Sequence, residues 1–180
     1  MSSPVHTFIT EVVMVLKRLT NFLDGHGVRY VVIQHSLAFT AREIAVSSHI
    51  PTNAIAKSVV LTIDGIRTMA VLPGSEMVEL LLLRDALGAT RVELAGEGEF
   101  NTLFPDCEIG AMPPFGNLFS LPVIVSDTLA ADEEIAFNAG THRDLVKMAY
   151  KDFEQLVHPK VLRFTMARHA RPNPFGADFS

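Results

Sequence analysis

Hydrophobic residues recur along the chain with two different periods. Between positions 6 and 24 they recur every three or four residues, the spacing of an amphipathic helix. Gly25 and Gly27 follow this stretch and are typical stop signals. Residues 28–34 are instead β-branched and aromatic, which predicts a strand. The pattern therefore predicts an N-terminal helix within residues 1–27, followed by a strand.

A second apolar run, residues 56–63, lies at the centre of the predicted fold. It is rich in Val and Ile, ends at the turn pair Asp64-Gly65, and is followed by another apolar run at 67–72. This arrangement predicts a buried β-hairpin. Lys57 is the exception, because a buried lysine without a partner is costly. Either its ammonium reaches solvent past the strand end, or it faces a pocket that holds an anionic or polar ligand.

Polar caps predict two helices around this hairpin. Thr40 and Glu43 have the spacing of a capping box, which opens a short helix that continues to about His49. Ser75 is predicted to cap a second helix over residues 76–87, apolar on most faces and ended by a glycine. The second helix is expected to be buried against a sheet.

The second half of the chain contains only short elements. In order, the pattern predicts a strand at 91–94, a helix at 97–103, strands at 122–126, 135–138 and 145–149, and a helix at 152–157. Strands and helices interleave irregularly and hairpins are frequent. The predicted class is α+β, or mixed α/β: a mixed, mostly antiparallel sheet partly covered by helices. Residues 169–180, rich in Pro and Gly, predict a frayed tail.

Composition sets the scale of the molecule. The 180 residues, 48% of them hydrophobic, suit a single domain over 1–180. The single cysteine, Cys107, cannot form an intramolecular disulfide, and the cytoplasm is the expected location. Glu11 and the Lys17-Arg18 pair interrupt the first apolar stretch, so neither a signal peptide nor a membrane span is expected there.

Charge excludes one class of function and suggests a surface for another. A net charge of -5 argues against a protein that coats nucleic acid non-specifically. The C-terminal third is nevertheless locally basic. Arg143, Lys147 and Lys151 could lie on one face of a strand if the strand at 145–149 extends that far, and would then form a phosphate-facing stripe. The alternative is a solvated basic end.

Several catalytic mechanisms lack their residues. The sequence contains no phosphate loop, no H-E-x-x-H motif and no Gly-x-Ser-x-Gly elbow. Its seven histidines are scattered without ligand spacing, so neither a metal nor another cofactor is expected. Cys107 lies between Asp106 and Glu108, which would raise rather than lower the pKa of a thiol. No covalent nucleophile is evident.

Three features remain as candidate chemistry: Lys57, the loop at 110–116 and the segment at 138–142. Backbone amides of a loop stiffened by Gly and Pro can stabilise an oxyanion without a charged side chain. The alternative is a plain surface loop. His142 is similarly open to two interpretations, a solvent-exposed polar residue or a participant in catalysis.

Together these segments resemble the YbaK/ProX family of aminoacyl-tRNA editing domains, which includes free-standing deacylases acting in trans. The resemblance covers roughly residues 28–157. It rests on F-T-A-R-E at 39–43 leading to A-K-S at 56–58, on the loop G-A-M-P-P-F-G at 110–116, and on N-A-G-T-H at 138–142.

The resemblance implies a fold, a reaction and a set of site residues. The reaction is hydrolysis of the ester that joins a wrong amino acid to the tRNA 3′ end, by water with help from the substrate's 2′-hydroxyl. In the family the lysine anchors the terminal adenosine and the loop glycine's amide holds the aminoacyl carbonyl. Lys57 and Gly110 match these positions, and His142 is a further catalytic candidate. Candidate substrate-binding residues are His35, Thr40, Ser58, Ala111, Met112, Pro113, Pro114, Phe115, Gly116, Asn138, Ala139, Gly140 and Thr141.

The resemblance also implies partners. Mischarged tRNA is the expected partner through its 3′ acceptor end, with an aminoacyl-tRNA synthetase as a further candidate. A small amino acid such as Ala or Cys, on tRNA-Pro for example, is the expected cargo. Ser58 departs from the Asn or Thr that many members carry after the lysine. Two alternatives stay open: a module that binds aminoacyl-tRNA or a synthetase without hydrolysis, and a small-molecule hydrolase unrelated to tRNA.

Overall fold

A computed structural model describes residues 4–168, with side chains from residue 14 onward except that of Glu97. The helices are α1 (Pro4–Gly25), α2 (Ala41–Ser48), α3 (Leu80–Leu87), α4 (Glu97–Leu103), α5 (Asp127–Ala130) and α6 (Tyr150–Val157). The strands are β1 (Tyr30–Gln34), β2 (Ile55–Ile63), β3 (Ile66–Pro73), β4 (Glu76–Val78), β5 (Val92–Leu94), β6 (Val123–Ser126), β7 (Glu134–Asn138), β8 (Asp144–Ala149), β9 (Lys160–Leu162) and β10 (Thr165–Ala167). The predicted tail, 169–180, lies outside the described residues.

The main sheet has the strand order β1-β8-β7-β2-β3-β6-β9, and β5 also pairs with β2. Strands β4 and β10 form a separate two-stranded ribbon. Among the eight strand pairs, five are antiparallel and three are parallel. The predicted class, a mixed and mostly antiparallel sheet partly covered by helices, is confirmed.

The central hairpin forms as the sequence predicts. Strands β2 and β3 pair in antiparallel register from Ile63 opposite Ile66 back to Ala56 opposite Pro73. Asp64 and Gly65 have φ angles of 47° and 85°, the left-handed conformation that a tight hairpin turn requires at both central positions. The capping box of α2 is also present, with Thr40 Oγ1 accepting from the Glu43 N–H and the Glu43 carboxylate accepting from the Thr40 N–H.

On its other side β2 is paired at both ends but not in the middle. The parallel strand β7 pairs with Ile55 and Ala56 only, and the antiparallel strand β5 pairs with residues 61–63. Residues 57–59 therefore have a backbone partner on the β3 side alone, since the Val60 carbonyl accepts from the Ala95 N–H at 3.0 Å. In this parallel register Phe137 lies opposite Ala56, so the residue after Phe137 lies at the level of Lys57. The sheet opens beside β2 at this point.

Apolar side chains fill both faces of the sheet. On one face, α1 and α6 bury Leu19, Leu23 and Phe153 against Phe115 and Phe137. On the other face, α3 and the segment before β10 bury a smaller set with Leu61, Leu72, Leu83 and Phe164. Side chains alternate along β2, so Ala56 and Val60 join the first cluster while Leu61 joins the second. The strand that carries Lys57 is thus held from both sides.

The structure corrects the prediction for the second helix. Residues 76–78, predicted as the start of a helix, form β4 because they pair with β10 from the far end of the chain. The helix begins at Leu80, and its cap is Glu79, whose carboxylate accepts from the Leu81 N–H, rather than Ser75. Gly88 ends it with φ 63°, as predicted. Strands β9 and β10 were not predicted at all.

The proposed basic stripe is also corrected. Strand β8 ends at Ala149, and Lys151 belongs to α6, so Arg143, Lys147 and Lys151 do not share one strand face. Lys147 is moreover paired with Glu134 at 2.8 Å.

A separate expectation concerned membranes: within residues 4–168, no helix combines the length and the apolar character needed to cross a bilayer.

Gly116 is expected to be required for packing between its loop and β6. A Cβ atom at this buried position would lie 2.5 Å from Val123 Cγ2 and 2.8 Å from the Leu121 carbonyl oxygen. Gly116→Ala should therefore lower the free energy of unfolding by about 1–3 kcal/mol. Urea titration followed by circular dichroism measures this.

Gly98→Ala is the matched control. A Cβ at Gly98, in helix α4, would meet no atom within 4 Å. This change should leave stability unchanged or raise it by up to about 1 kcal/mol, because Ala favours a helix more than Gly does. Equal effects of the two substitutions would show that the loop is not packed tightly against β6.

Candidate functional site

A cleft of about 230 Å³ opens at the unpaired side of β2. Helix α2 and the residues before it form one wall, and the end of β3, the end of β7 and the loop at Gly110 contribute the rest. Five of its lining residues were candidate site residues: Thr40, Lys57, Ser58, Gly110 and Asn138. Seven others were not: Phe39, Ala41, Ile44, Ile55, Ala56, Gly74 and Arg168.

Lys57 supplies a cation to this cleft. Its Nζ donates a hydrogen bond to the backbone carbonyl of Glu76 in β4. Burial, with a smaller contribution from the positive charge of Arg168, lowers the pKa of Lys57 from 10.5 to about 8, and the negative charge of Glu76 opposes part of this effect. None of the four ion pairs among the described side chains includes Lys57. The ammonium is thus half-buried and held by a carbonyl rather than by a carboxylate.

Gly110 brings a backbone amide to the cleft. Its φ angle is +83°, a backbone conformation that residues other than glycine rarely adopt. Among the described residues, no hydrogen-bond acceptor is found for its N–H. The flanking backbone is fixed to the 139–142 turn, since Glu108 N–H donates to the Gly140 carbonyl and Gly140 N–H donates to the Ala111 carbonyl, both at 2.9 Å. The amide at 110 is therefore both positioned and available.

His142 completes this connection between loop and turn. Its backbone N–H donates to the Glu108 carboxylate at 2.7 Å, and its ring Nε2 lies 2.8 Å from the Ile109 carbonyl oxygen. A carbonyl can only accept, so Nε2 carries a proton. The side chain is 6% exposed, and its ring contacts the Phe39 ring at 4.8 Å between centroids. The interpretation of His142 as a solvent-exposed residue is wrong; its contacts are with the carbonyl next to Gly110.

Two buried polar atoms of cleft residues lack a partner. Ser58 Oγ and Asn138 Oδ1 have almost no solvent exposure and no hydrogen bond among the described residues. Leaving a buried oxygen without a partner is costly. Both residues line the cleft.

The other candidate residues occupy different environments. Thr141 Oγ1 donates to the Asp144 carboxylate at 2.7 Å and closes the turn before β8. His35 Nδ1 lies 2.6 Å from the Ser36 carbonyl oxygen, and its buried Nε2 has no partner among the described residues. Met112 and Phe115 belong to the larger core cluster. The remaining loop and turn residues are buried: Ala111, Pro113, Pro114, Gly116, Ala139 and Gly140.

Two of the cleft residues outside the candidate set, Gly74 and Phe39, have a local sequence signal. Gly74 follows β3 directly, and a Cβ there would lie 2.4 Å from the Cβ of Ala41, so only glycine lets α2 approach the hairpin. Phe39 precedes the capping box that was identified. Arg168 had no local signal, because it reaches the cleft only through the pairing of β10 with β4. Across the side chains that the structure describes, no group of three or more His, Cys, Asp or Glu could hold a metal ion.

Comparisons with known proteins place this geometry in a family. The family model described as an aminoacyl-tRNA editing domain matches residues 35–156. A curated relative from Escherichia coli K12, the multifunctional Ser/Thr-tRNA deacylase ProXp-y, is 27% identical over 154 residues, covering 82% of this chain and 91% of the relative.

Solved structures share the fold. The crystal structure of a putative trans-editing enzyme for prolyl tRNA synthetase has a TM-score of 0.72 at 22% identity, covering 93% of this chain and 100% of that one. A hypothetical protein has a TM-score of 0.74 at 16% identity, covering 82% of this chain and 99% of its own. At these identities the similarity establishes the fold.

The family model spans the predicted resemblance almost completely, from His35 at the end of β1 to Leu156 near the end of α6. It includes the cleft side chains from Phe39 to Asn138. The chain therefore belongs to the aminoacyl-tRNA editing domain family and is a hydrolase that acts on the ester bond of aminoacyl-tRNA.

Proposed function

We propose that this cleft removes a small, wrongly attached amino acid from the 3′ end of a tRNA. The observation that carries the proposal is that Gly110, whose N–H has no acceptor among the described residues, lines the same cleft as Lys57. Ester hydrolysis by water needs stabilisation of the negative oxygen that forms on the carbonyl, and a preorganised amide provides it. Lys57 would hold the terminal nucleotide so that the ester lies against this amide.

Each group then has a defined task in the reaction. Water attacks the ester carbonyl carbon while Gly110 N–H donates to the carbonyl oxygen. The bond between that carbon and the ribose oxygen breaks, and the ribose oxygen leaves with a proton that the neighbouring 2′-hydroxyl helps to transfer. The products are a free amino acid and an uncharged tRNA. His142 acts as a positioning residue, because its ring N–H binds the carbonyl of Ile109, the residue before Gly110.

The amino acid has two candidate classes. The family resemblance implies a small one such as Ala or Cys, selected mainly because the pocket excludes larger side chains. The unpaired Ser58 Oγ and Asn138 Oδ1 favour a small hydroxylated amino acid, Ser or Thr, because a substrate hydroxyl would satisfy them. The curated E. coli relative, named as a Ser/Thr-tRNA deacylase, supports this second class.

A panel of mischarged tRNAs tests the proposed reaction. The purified chain should release the amino acid from at least one of Ser-, Thr-, Ala- and Cys-tRNA. Lys57→Ala should lower kcat/KM by about 100-fold or more, because the ester is no longer held against the Gly110 amide. Release of labelled amino acid from the tRNA measures both.

Lys151→Ala is the control for this loss of charge. Lys151 is an exposed lysine on α6 outside the cleft, and its removal should leave hydrolysis unchanged. Tight binding of aminoacyl-tRNA without any release of amino acid would instead identify a binding module. Hydrolysis that survives Lys57→Ala would remove Lys57 from the mechanism.

The pKa of Lys57 predicts a pH dependence of binding. A non-hydrolysable analogue, with an amide in place of the ester, should bind more weakly as pH rises through about 8, because Lys57 loses its positive charge there. Affinity measured from about pH 6.5 to 9.5 reveals the transition. Lys57→Arg keeps its charge over this range and should lack it. The same transition in both proteins would assign it to another group.

Ser58→Ala tests which amino acid the cleft recognises. If Ser58 Oγ binds a substrate hydroxyl, the substitution should lower kcat/KM for Ser-tRNA about tenfold and leave Ala-tRNA nearly unchanged. Thr102→Ala, which removes an exposed hydroxyl on α4, is the control. An equal loss on both substrates would mean that Ser58 shapes the cleft without recognising the side chain.

A further inference from the structure

Arg168 is a second cation at the cleft and is carried by a part of the chain outside the family match. The matched residues end at 156, whereas Arg168 directly follows β10 (Thr165–Ala167). Its side chain lines the cleft together with Lys57. None of the four ion pairs found among the described side chains includes either cation.

The backbone that carries Arg168 is firmly attached. Phe164, just before β10, is fully buried in the second core cluster, and its carbonyl accepts from the Glu79 N–H at 2.9 Å. Strand β10 then pairs with β4, with Ala167 opposite Glu76. Arg168 N–H itself donates to the Ser75 carbonyl at 3.1 Å. The Arg168 backbone is therefore fixed at the rim of the cleft.

The same ribbon orients Lys57. Glu76, the β4 residue opposite Ala167, provides the backbone carbonyl that accepts from Lys57 Nζ. The Glu76 carboxylate is engaged elsewhere, since its Oε2 accepts from Thr128 Oγ1 at 2.8 Å. The Arg168 charge is close enough to lower the pKa of Lys57, so the two cations repel each other within the cleft. An anion bound to both would relieve that repulsion.

We propose that Arg168 binds a phosphodiester of the tRNA 3′ end and, with Lys57, positions the terminal nucleotide for hydrolysis. The proposal rests on the proposed function, which supplies the tRNA. An aminoacyl ester has no free carboxylate, so the phosphates are the anions that this substrate offers. A guanidinium suits a phosphate because its planar N–H groups can donate to two oxygens at once. Arg168 would thus be a positioning residue contributed by the β4–β10 ribbon.

The test compares three substrates of increasing size. They are an aminoacyl-adenosine without phosphate, the same ester carrying a 5′-phosphate, and the full mischarged tRNA. Arg168→Ala should lower kcat/KM about tenfold or more for the two substrates with phosphate and leave the phosphate-free ester nearly unchanged. Arg168→Lys should restore part of the loss. Arg163→Ala, which removes an exposed arginine between β9 and β10, is the matched control and should have no such pattern.

Two further measurements separate a role in binding from a structural role. Salt titration of tRNA binding should show a slope smaller by up to about one unit in Arg168→Ala. The pKa of Lys57, followed by NMR of the selectively labelled amine, should rise in the same variant, because the neighbouring positive charge is gone. A merely loosened ribbon would not distinguish substrates with and without phosphate.

The outcomes are distinct from those that test the proposed function. An equal loss on all three substrates, or no loss on any, would overturn the phosphate role while leaving the deacylase intact. If the wild-type chain hydrolyses none of the esters, the proposed function fails, and binding of the amide analogues with and without phosphate still tests Arg168. Competition by inorganic phosphate alone, with no preference for the phosphorylated analogue, would indicate a general anion site and also overturn the proposal.

Discussion

The cleft depends on one constraint in the sheet, the incomplete pairing of β2. Strand β7 pairs with the start of β2, and β5 with the residue after it pairs with the end of β2, so residues 57–59 have a backbone neighbour on the β3 side only. A cleft can form beside a central strand because both ends of that strand are held. The open side places Lys57 and Ser58 next to Asn138, the last residue of β7. The site is thus created by strand register.

A preorganised site costs stability, and the cost is visible in two places. Lys57 has a pKa lowered to about 8 by burial and by Arg168, so the folded chain binds its proton less tightly than the unfolded chain does. Between pH 8 and 10.5 the unfolded state binds more protons at Lys57 than the folded state does. The contribution of Lys57 to the free energy of unfolding therefore rises with pH over this range. Ser58 and Asn138 add buried oxygens without partners. Such costs are typical of sites that a ligand completes.

Elements specified by nearby residues were predictable. The Asp64-Gly65 turn, the Thr40–Glu43 capping box and the end of α3 at Gly88 each depend on a few consecutive side chains, and each was found. Residues 76–78 were mistaken for helix because their partner, β10, lies about ninety positions away. The burial of His142 likewise depends on Glu108 and Ile109, which are distant in sequence. Local patterns contain no information about such pairings.

The residues of the candidate site also differ in whether a local pattern identifies them. Lys57, Ser58, Gly110 and Asn138 were identified because they lie in segments whose order resembles a known family, whereas Arg168 follows a strand that no local pattern predicted. Lys57 and Arg168 are nevertheless connected through β4. The Glu76 carbonyl on β4 accepts from Lys57, and β4 pairs with β10, the strand that Arg168 follows. The β4–β10 ribbon therefore couples the family's lysine to a part of the chain outside the matched region. Changes in that ribbon would alter the position and charge of Lys57 without altering the loop that carries the Gly110 amide.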